Sequence, residues 1–175
     1  MARLPFVDVD TPGVDVKLVH AVQQRRGGTL LNLDRQLLHS APVASGWNTY
    51  LGSIRTGGIV DGGVRELVIL LVAILNRAPY EFHQHAPVAL AEGVPQAKLD
   101  ALPDWRASTL FSALERDVLA YTEAMTVQVQ VTQSTFDAVR AHFSDRELVE
   151  LTATVAAYNM VSRFLEALQI EPEGN

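Results

Sequence analysis

"RELVILLVAILNRAPYEFHQHAPVALAEGV", residues 65–94, decides how this chain folds. From Leu67 to Leu75 the residues are apolar without a break. A helix that is apolar on nearly every face belongs at the centre of a bundle. The run is about half of the roughly 20 residues that a membrane span needs. Asn76 to Ala78 interrupts it. Pro79 then suits the first turn of a new helix, where its missing N–H is no loss, and Gly93 is placed to stop that helix. On the near side, Asp61 is the expected N-cap of the apolar helix. The junction between the two helices is unusually polar: Tyr80, Glu81, His83 and His85 fall within six residues.

Working outward, helical patterns fill the rest of the chain. Residues 15–28 read as a short helix stopped by Gly27 and Gly28, and residues 32–42 as another that ends before Pro42. Val43, Trp47, Tyr50, Leu51 and Ile54 recur at helical spacing, with both tryptophans, Trp47 and Trp105, read as core or interface anchors. Residues 94–109 read as a loop with a turn of helix, 108–126 as an amphipathic helix and 132–143 as a short one. Ser144 and Glu147 form the pattern of a capping box and open the last helix, which runs to Ile170. The β-rich piece "TVQVQVT", residues 126–132, is too short to build a sheet. The expected class is therefore all-α. A single-domain helical bundle is expected over residues 14–175, preceded by an extended arm at 1–13.

Composition narrows the function classes. The 175 residues are 48% hydrophobic and 19% charged, enough to bury a core. The formal net charge of −6 argues against a nucleic-acid partner or an anionic membrane surface. There is no cysteine, so disulfides, thiolate metal sites and cysteine nucleophiles are excluded. The first residues lack the basic-then-apolar pattern of a signal peptide, and a soluble cytoplasmic protein is expected.

The polar junction admits a chemical reading. Glu81 and His85 are four residues apart and share a helix face. Glu66 precedes the apolar run, and burial disfavours a carboxylate's charged form, which suits it to exchange protons near neutrality. A Glu–His unit in an apolar pocket can move a proton at carbon next to a carbonyl. Each residue also has a plainer reading. Glu66 would favour the helix dipole or pair with an arginine, Glu81 would be an exposed first-turn glutamate, and His85 would be a packed histidine. Tyr80 either donates to a substrate oxygen or lies in the core. His83 lies about 200° round the helix from Glu81 and reads as structural or interfacial. Asn159 and Arg163, four apart on the last helix, are candidates for binding a substrate carboxylate, while Arg163 would equally serve to neutralise Glu66. Glu66, Glu81 and His85 also have the chemistry of a divalent-metal set, but no tight ligand spacing supports it, and no metal is assigned.

Residues 65–94, followed after a variable segment by "FSDRELVELTATVAAYNMVSRFLEAL" (143–168), resemble the carboxymuconolactone decarboxylase family, whose superfamily includes the alkyl hydroperoxidase D proteins. The carriers are a helix beginning Arg-Glu-Leu, a break, then Tyr-Glu-aromatic and a His four residues after the Glu. The resemblance implies an all-α fold and a homo-oligomer. In the hydroperoxidase branch, a Cys-x-x-Cys pair is served by an upstream glutamate and a downstream histidine. Those two fall here on Glu66 and His85, and the cysteine positions on Ala78 and Glu81. The thiols are gone while the proton-handling pair remains.

The resulting expectation is a cofactor-free acid–base enzyme similar to carboxymuconolactone decarboxylase, acting on a small organic acid or lactone. Glu66 and His85 would shuttle protons, Glu81 and Tyr80 would shape or polarise the site, and Arg163 and Asn159 would bind the substrate. Two alternatives stand beside it. One is the peroxidase activity of the wider superfamily, which the missing thiols disfavour. The other is a non-enzymatic, oligomeric small-molecule-binding protein.

Overall fold

The computed structural model describes residues 2–174, and every regular element among them is helical. In chain order these are α1 (Val16–Arg25), α2 (Asn32–Leu37), α3 (Ala41–Thr56), α4 (Gly62–Asn76), α5 (Pro79–Ala91), α6 (Gln96–Ala101), α7 (Ala113–Glu123), α8 (Gln133–Arg140) and α9 (Asp145–Leu168). A 3₁₀ turn, Leu102–Asp104, follows α6, and a π turn, Ala124–Gln128, extends α7. The described residues form two compact units. One takes in the chain up to Gly57 and from Leu165 onward; the other is Gly58–Phe164.

In the first unit the N-terminal segment carries no helix, yet it is tied down. Arg3 donates its backbone N–H to the Leu168 carbonyl at 2.9 Å, and Val7 donates to that of Arg35 at 3.2 Å. Gln36 and His39 reach back to the carbonyls of Leu4 and Pro5. Asp34 is buried between Arg26, at 2.9 Å, and Arg25, at 3.6 Å, and also accepts from the Leu31 N–H at the start of α2. Gly27 and Gly28, both at positive φ, end α1, with the Gly28 N–H on the Gln23 carbonyl. The second helix ends before Pro42, several residues short of it. α2 stops at Leu37, and Pro42 lies in the first turn of α3, where a proline's fixed φ and missing N–H are both tolerated.

The second unit is built round α4. Asp61 caps it, accepting from the Val64 N–H at 3.0 Å, and every residue from Glu66 to Ala73 is buried. Leu67, Leu70 and Leu71 pack with Ala89 of α5, Leu99 of α6, Trp105 and Leu119 of α7. At its far end, Arg77 takes the left-handed conformation, φ 56° and ψ 44°, and the Ala78 N–H closes on the Ala73 carbonyl at 2.8 Å. A non-glycine residue there costs roughly 1 kcal/mol. Chain reversal at this point lets α5 return along α4. The Ser144–Glu147 capping box is formed, with the Glu147 carboxylate on the Ser144 N–H at 2.8 Å. Residues 126–132 fall across the π turn and the strained Val129, at φ 67°.

Asn159 of α9 holds this unit together across three segments. Its carbonyl oxygen accepts from Asn76 at 2.9 Å and from Arg163 at 2.7 Å, and its NH₂ donates to Thr126 and to the Val155 carbonyl. An amide has two lone pairs and two hydrogens to offer, so this side chain is fully engaged within the protein. Asn159→Ala is expected to destabilise the fold by about 1–3 kcal/mol, because Asn76 and Thr126 lose partners in half-buried surroundings. Urea unfolding measures it; an unchanged midpoint would mean that these bonds do not hold in solution.

Candidate functional site

α4 and α5 form a hairpin, and its seam carries the polar residues. On α4, Glu66, Leu70 and Ala73 follow one another at helical spacing, with Arg77 as its C-cap; on α5, Glu81, Phe82 and His85 do the same, with Ala78 as its N-cap. Far from the connection the two stripes meet at Glu66 and His85, whose Nδ1 lies 2.7 Å from Glu66 Oε2. Glu66 is 2% exposed and His85 7%. With Glu66 ionised the imidazole donates; with the proton on Glu66 the same nitrogen accepts. One geometry thus serves both positions of the proton, which is what an acid–base unit requires.

The pair has further support. The second oxygen of Glu66 accepts from Arg65 Nε at 3.2 Å, and Arg65 also binds Glu92 at 3.2 Å. The Glu92 carboxylate occupies the space that a Cβ on Gly62 would take, so a side chain there would push this flexible carboxylate aside. Tyr158 of α9 presents its ring at 89° to the His85 ring, with centroids 5.1 Å apart. Such an edge-to-face contact fixes the imidazole's orientation.

Glu81 is buried, against its plainer reading as an exposed first-turn glutamate, and its Oε2 accepts from Ser162 of α9 at 3.1 Å. Tyr80 is buried as well. The arginine on Glu66 is Arg65 rather than Arg163. Arg163 is exposed and lies on the Asn159 carbonyl groups, at 2.9 and 2.7 Å. Arg65, Glu92, Tyr158 and Ser162 were not singled out in the sequence. Of these only Arg65 had a signal, its place beside Glu66; the others come from distant turns of chain. Among the described residues, no three His, Cys, Asp or Glu side chains are grouped to hold a metal, and no helix is long and apolar enough to cross a membrane.

Nearer the connection the seam opens into a cavity of about 480 Å³. Ala73, Ile74, Ala78, Pro79 and Phe82 line it, together with Arg77 and His83. Its lining does not include Glu66, Glu81 or His85, so the three do not share it directly. Phe82, which lines the cavity, lies one turn before His85 on α5, and Glu81 one turn before His85 on the same helix. His83, expected to be structural or interfacial, borders the cavity: the helix rotation that turns it from Glu81 turns it to this opening.

A double-mutant cycle tests the central contact. His85→Ala leaves Glu66 buried with Arg65 alone and is expected to cost about 3 kcal/mol. Combining it with Glu66→Gln should recover part of that loss, with a coupling of about 1–2 kcal/mol. Strictly additive urea midpoints would mean that the two side chains do not touch.

Residues 41–124, just under half of the chain, match the model of the carboxymuconolactone decarboxylase family. The uncharacterized protein YnjA of Escherichia coli (strain K12) is 42% identical over 81 residues, 44% of this chain and 43% of YnjA. The match thus spans less than half the length of that curated relative. Among solved structures, an uncharacterized peroxidase-related protein with an alkylhydroperoxidase AhpD core, from Ralstonia eutropha JMP134, superposes with a TM-score of 0.84 at 16% identity, over 99% of this chain and 93% of that one. A cysteine-to-alanine variant of the debrominase Bmp8, in complex with 2,3,4-tribromopyrrole, does so with a TM-score of 0.80 at 17% identity, over 99% and 92%. At these identities the structures speak to fold alone. Residues 41–124, with Glu66, Glu81 and His85 among them, thus match the carboxymuconolactone decarboxylase family model, in a chain with the fold of the AhpD-like proteins and no cysteine.

Proposed function

We propose that this protein is a cofactor-free acid–base enzyme that acts on a small organic acid or lactone, with Glu66 and His85 as its proton-exchanging unit. The observation that carries the reading is the buried 2.7 Å contact between them, next to a cavity of a size that takes a small molecule. For a decarboxylation, the bond from carbon to the carboxylate breaks and its electron pair passes into the substrate's own carbonyl or unsaturation. Carbon dioxide leaves, and the carbon then takes a proton. The enzyme's task is to desolvate the carboxylate and deliver that proton. Glu81, between Ala78 and His85 on the seam face, is the bridge from the pair to the cavity, and Tyr80 shapes the same turn. The bound tribromopyrrole of the debrominase variant is in keeping with a small unsaturated ligand in this fold.

Peroxide chemistry of the thiol type needs a thiolate to attack oxygen and a second thiol to resolve the product. Ala78 and Glu81 supply neither. Peroxide consumption with a dithiol reductant is expected to match a no-enzyme control.

The direct test is carbon dioxide release from small unsaturated and lactone carboxylates in deuterated water, with deuterium followed into the product. Glu66→Gln is expected to lower turnover about 10²-fold or more while substrate still binds. Binding without turnover by the native protein would favour the non-enzymatic alternative. Turnover untouched by Glu66→Gln would remove Glu66 from the chemistry.

A further inference from the structure

We infer that Arg77 is the anion anchor of the cavity at the α4–α5 connection, and that the cavity selects an apolar monocarboxylate, carboxylate toward Arg77 and carbon skeleton against Ile74 and Phe82.

Three observations converge on it. The cavity wall is mainly apolar: Ala73, Ile74, Ala78, Pro79 and Phe82 present hydrocarbon. The guanidinium of Arg77, at its edge, forms no hydrogen bond or ion pair with any described residue, whereas Arg65 and Arg163 are both engaged. A guanidinium offers paired N–H donors that match a carboxylate's two oxygens. Finally, Arg77 occupies a left-handed position, φ 56°, that glycine fills more readily. Local backbone preference does not account for an arginine there; a task for its side chain does. His83, the other polar residue of the lining, offers one ring N–H in either neutral tautomer.

The selectivity follows from the count of charges. One guanidinium satisfies one carboxylate. A second carboxylate on the ligand would find only the single N–H of His83 on a wall otherwise formed by Ile74 and Phe82, and a dianion is disfavoured on that ground. The inference rests on the acid–base reading for its link to turnover, and on the cavity alone for binding.

Calorimetric titration of the native protein with benzoate, benzamide and phthalate tests it. Benzoate is expected to bind more tightly than benzamide, its uncharged counterpart of similar shape, and more tightly than the dianion phthalate. Arg77→Gly removes the side chain at a position where glycine relieves the backbone, so the variant should fold at least as well. It is expected to weaken benzoate at least tenfold and to leave benzamide unchanged. Glu66→Gln is expected to bind benzoate like the native protein, which separates failure of the anchor from failure of the acid–base reading. Equal benzoate affinity in native protein and Arg77→Gly, no benzoate binding at all, or phthalate binding more tightly than benzoate would each overturn the assignment.

Discussion

A carboxylate carried into an apolar helix must be satisfied there, and that constraint organises the α4–α5 unit. Glu66 is buried with the apolar residues that follow it on α4. An uncompensated charge in such a place would cost several kcal/mol. Its two oxygens are answered from two directions, His85 from the returning helix and Arg65 from its own. The answer from His85 requires that α5 come back along α4 in one register. That register in turn depends on the reversal at Arg77 and Ala78 and on Pro79 opening the next helix. The cavity at the connection and the Glu66–His85 contact deeper in the seam belong to the same packing arrangement.

Local chemistry made much of the fold legible. The apolar run of α4, the Asp61 cap, the Gly27–Gly28 stop, Pro79 and the Ser144–Glu147 box are signals contained within a few residues, and each appears where it was read. Pro42 lies beyond the end of α2 and in the first turn of α3, because a proline disfavours helix before it and is tolerated in a first turn. The π turn after Glu123 has no comparable local mark.

Within the site, Glu66, Glu81 and His85 were found through spacing and resemblance, and the hairpin brings Glu66 and His85 into contact. Tyr158 and Ser162 were beyond reach because they arrive from α9, and nothing in the intervening sequence records which turn of α9 faces α5. Arg65, not Arg163, is the arginine on Glu66. Neighbouring side chains on a helix ordinarily diverge, so Arg65 was the less obvious partner. Asn159 looked like a ligand group because polar side chains on an apolar helix invite that reading; its four internal hydrogen bonds give it a structural task instead.

Gly62 gives the buried pair a connection to the solvent. Its missing Cβ admits the Glu92 carboxylate, which is 42% exposed and holds Arg65, which in turn touches Glu66. Dissolved ions screen the outer link strongly and the inner one weakly. As ionic strength rises, Arg65 is released from Glu92 and its charge is left to Glu66. The buried carboxylate therefore has a surface terminal, and the salt around the protein loosens the outer link of that chain before the inner one.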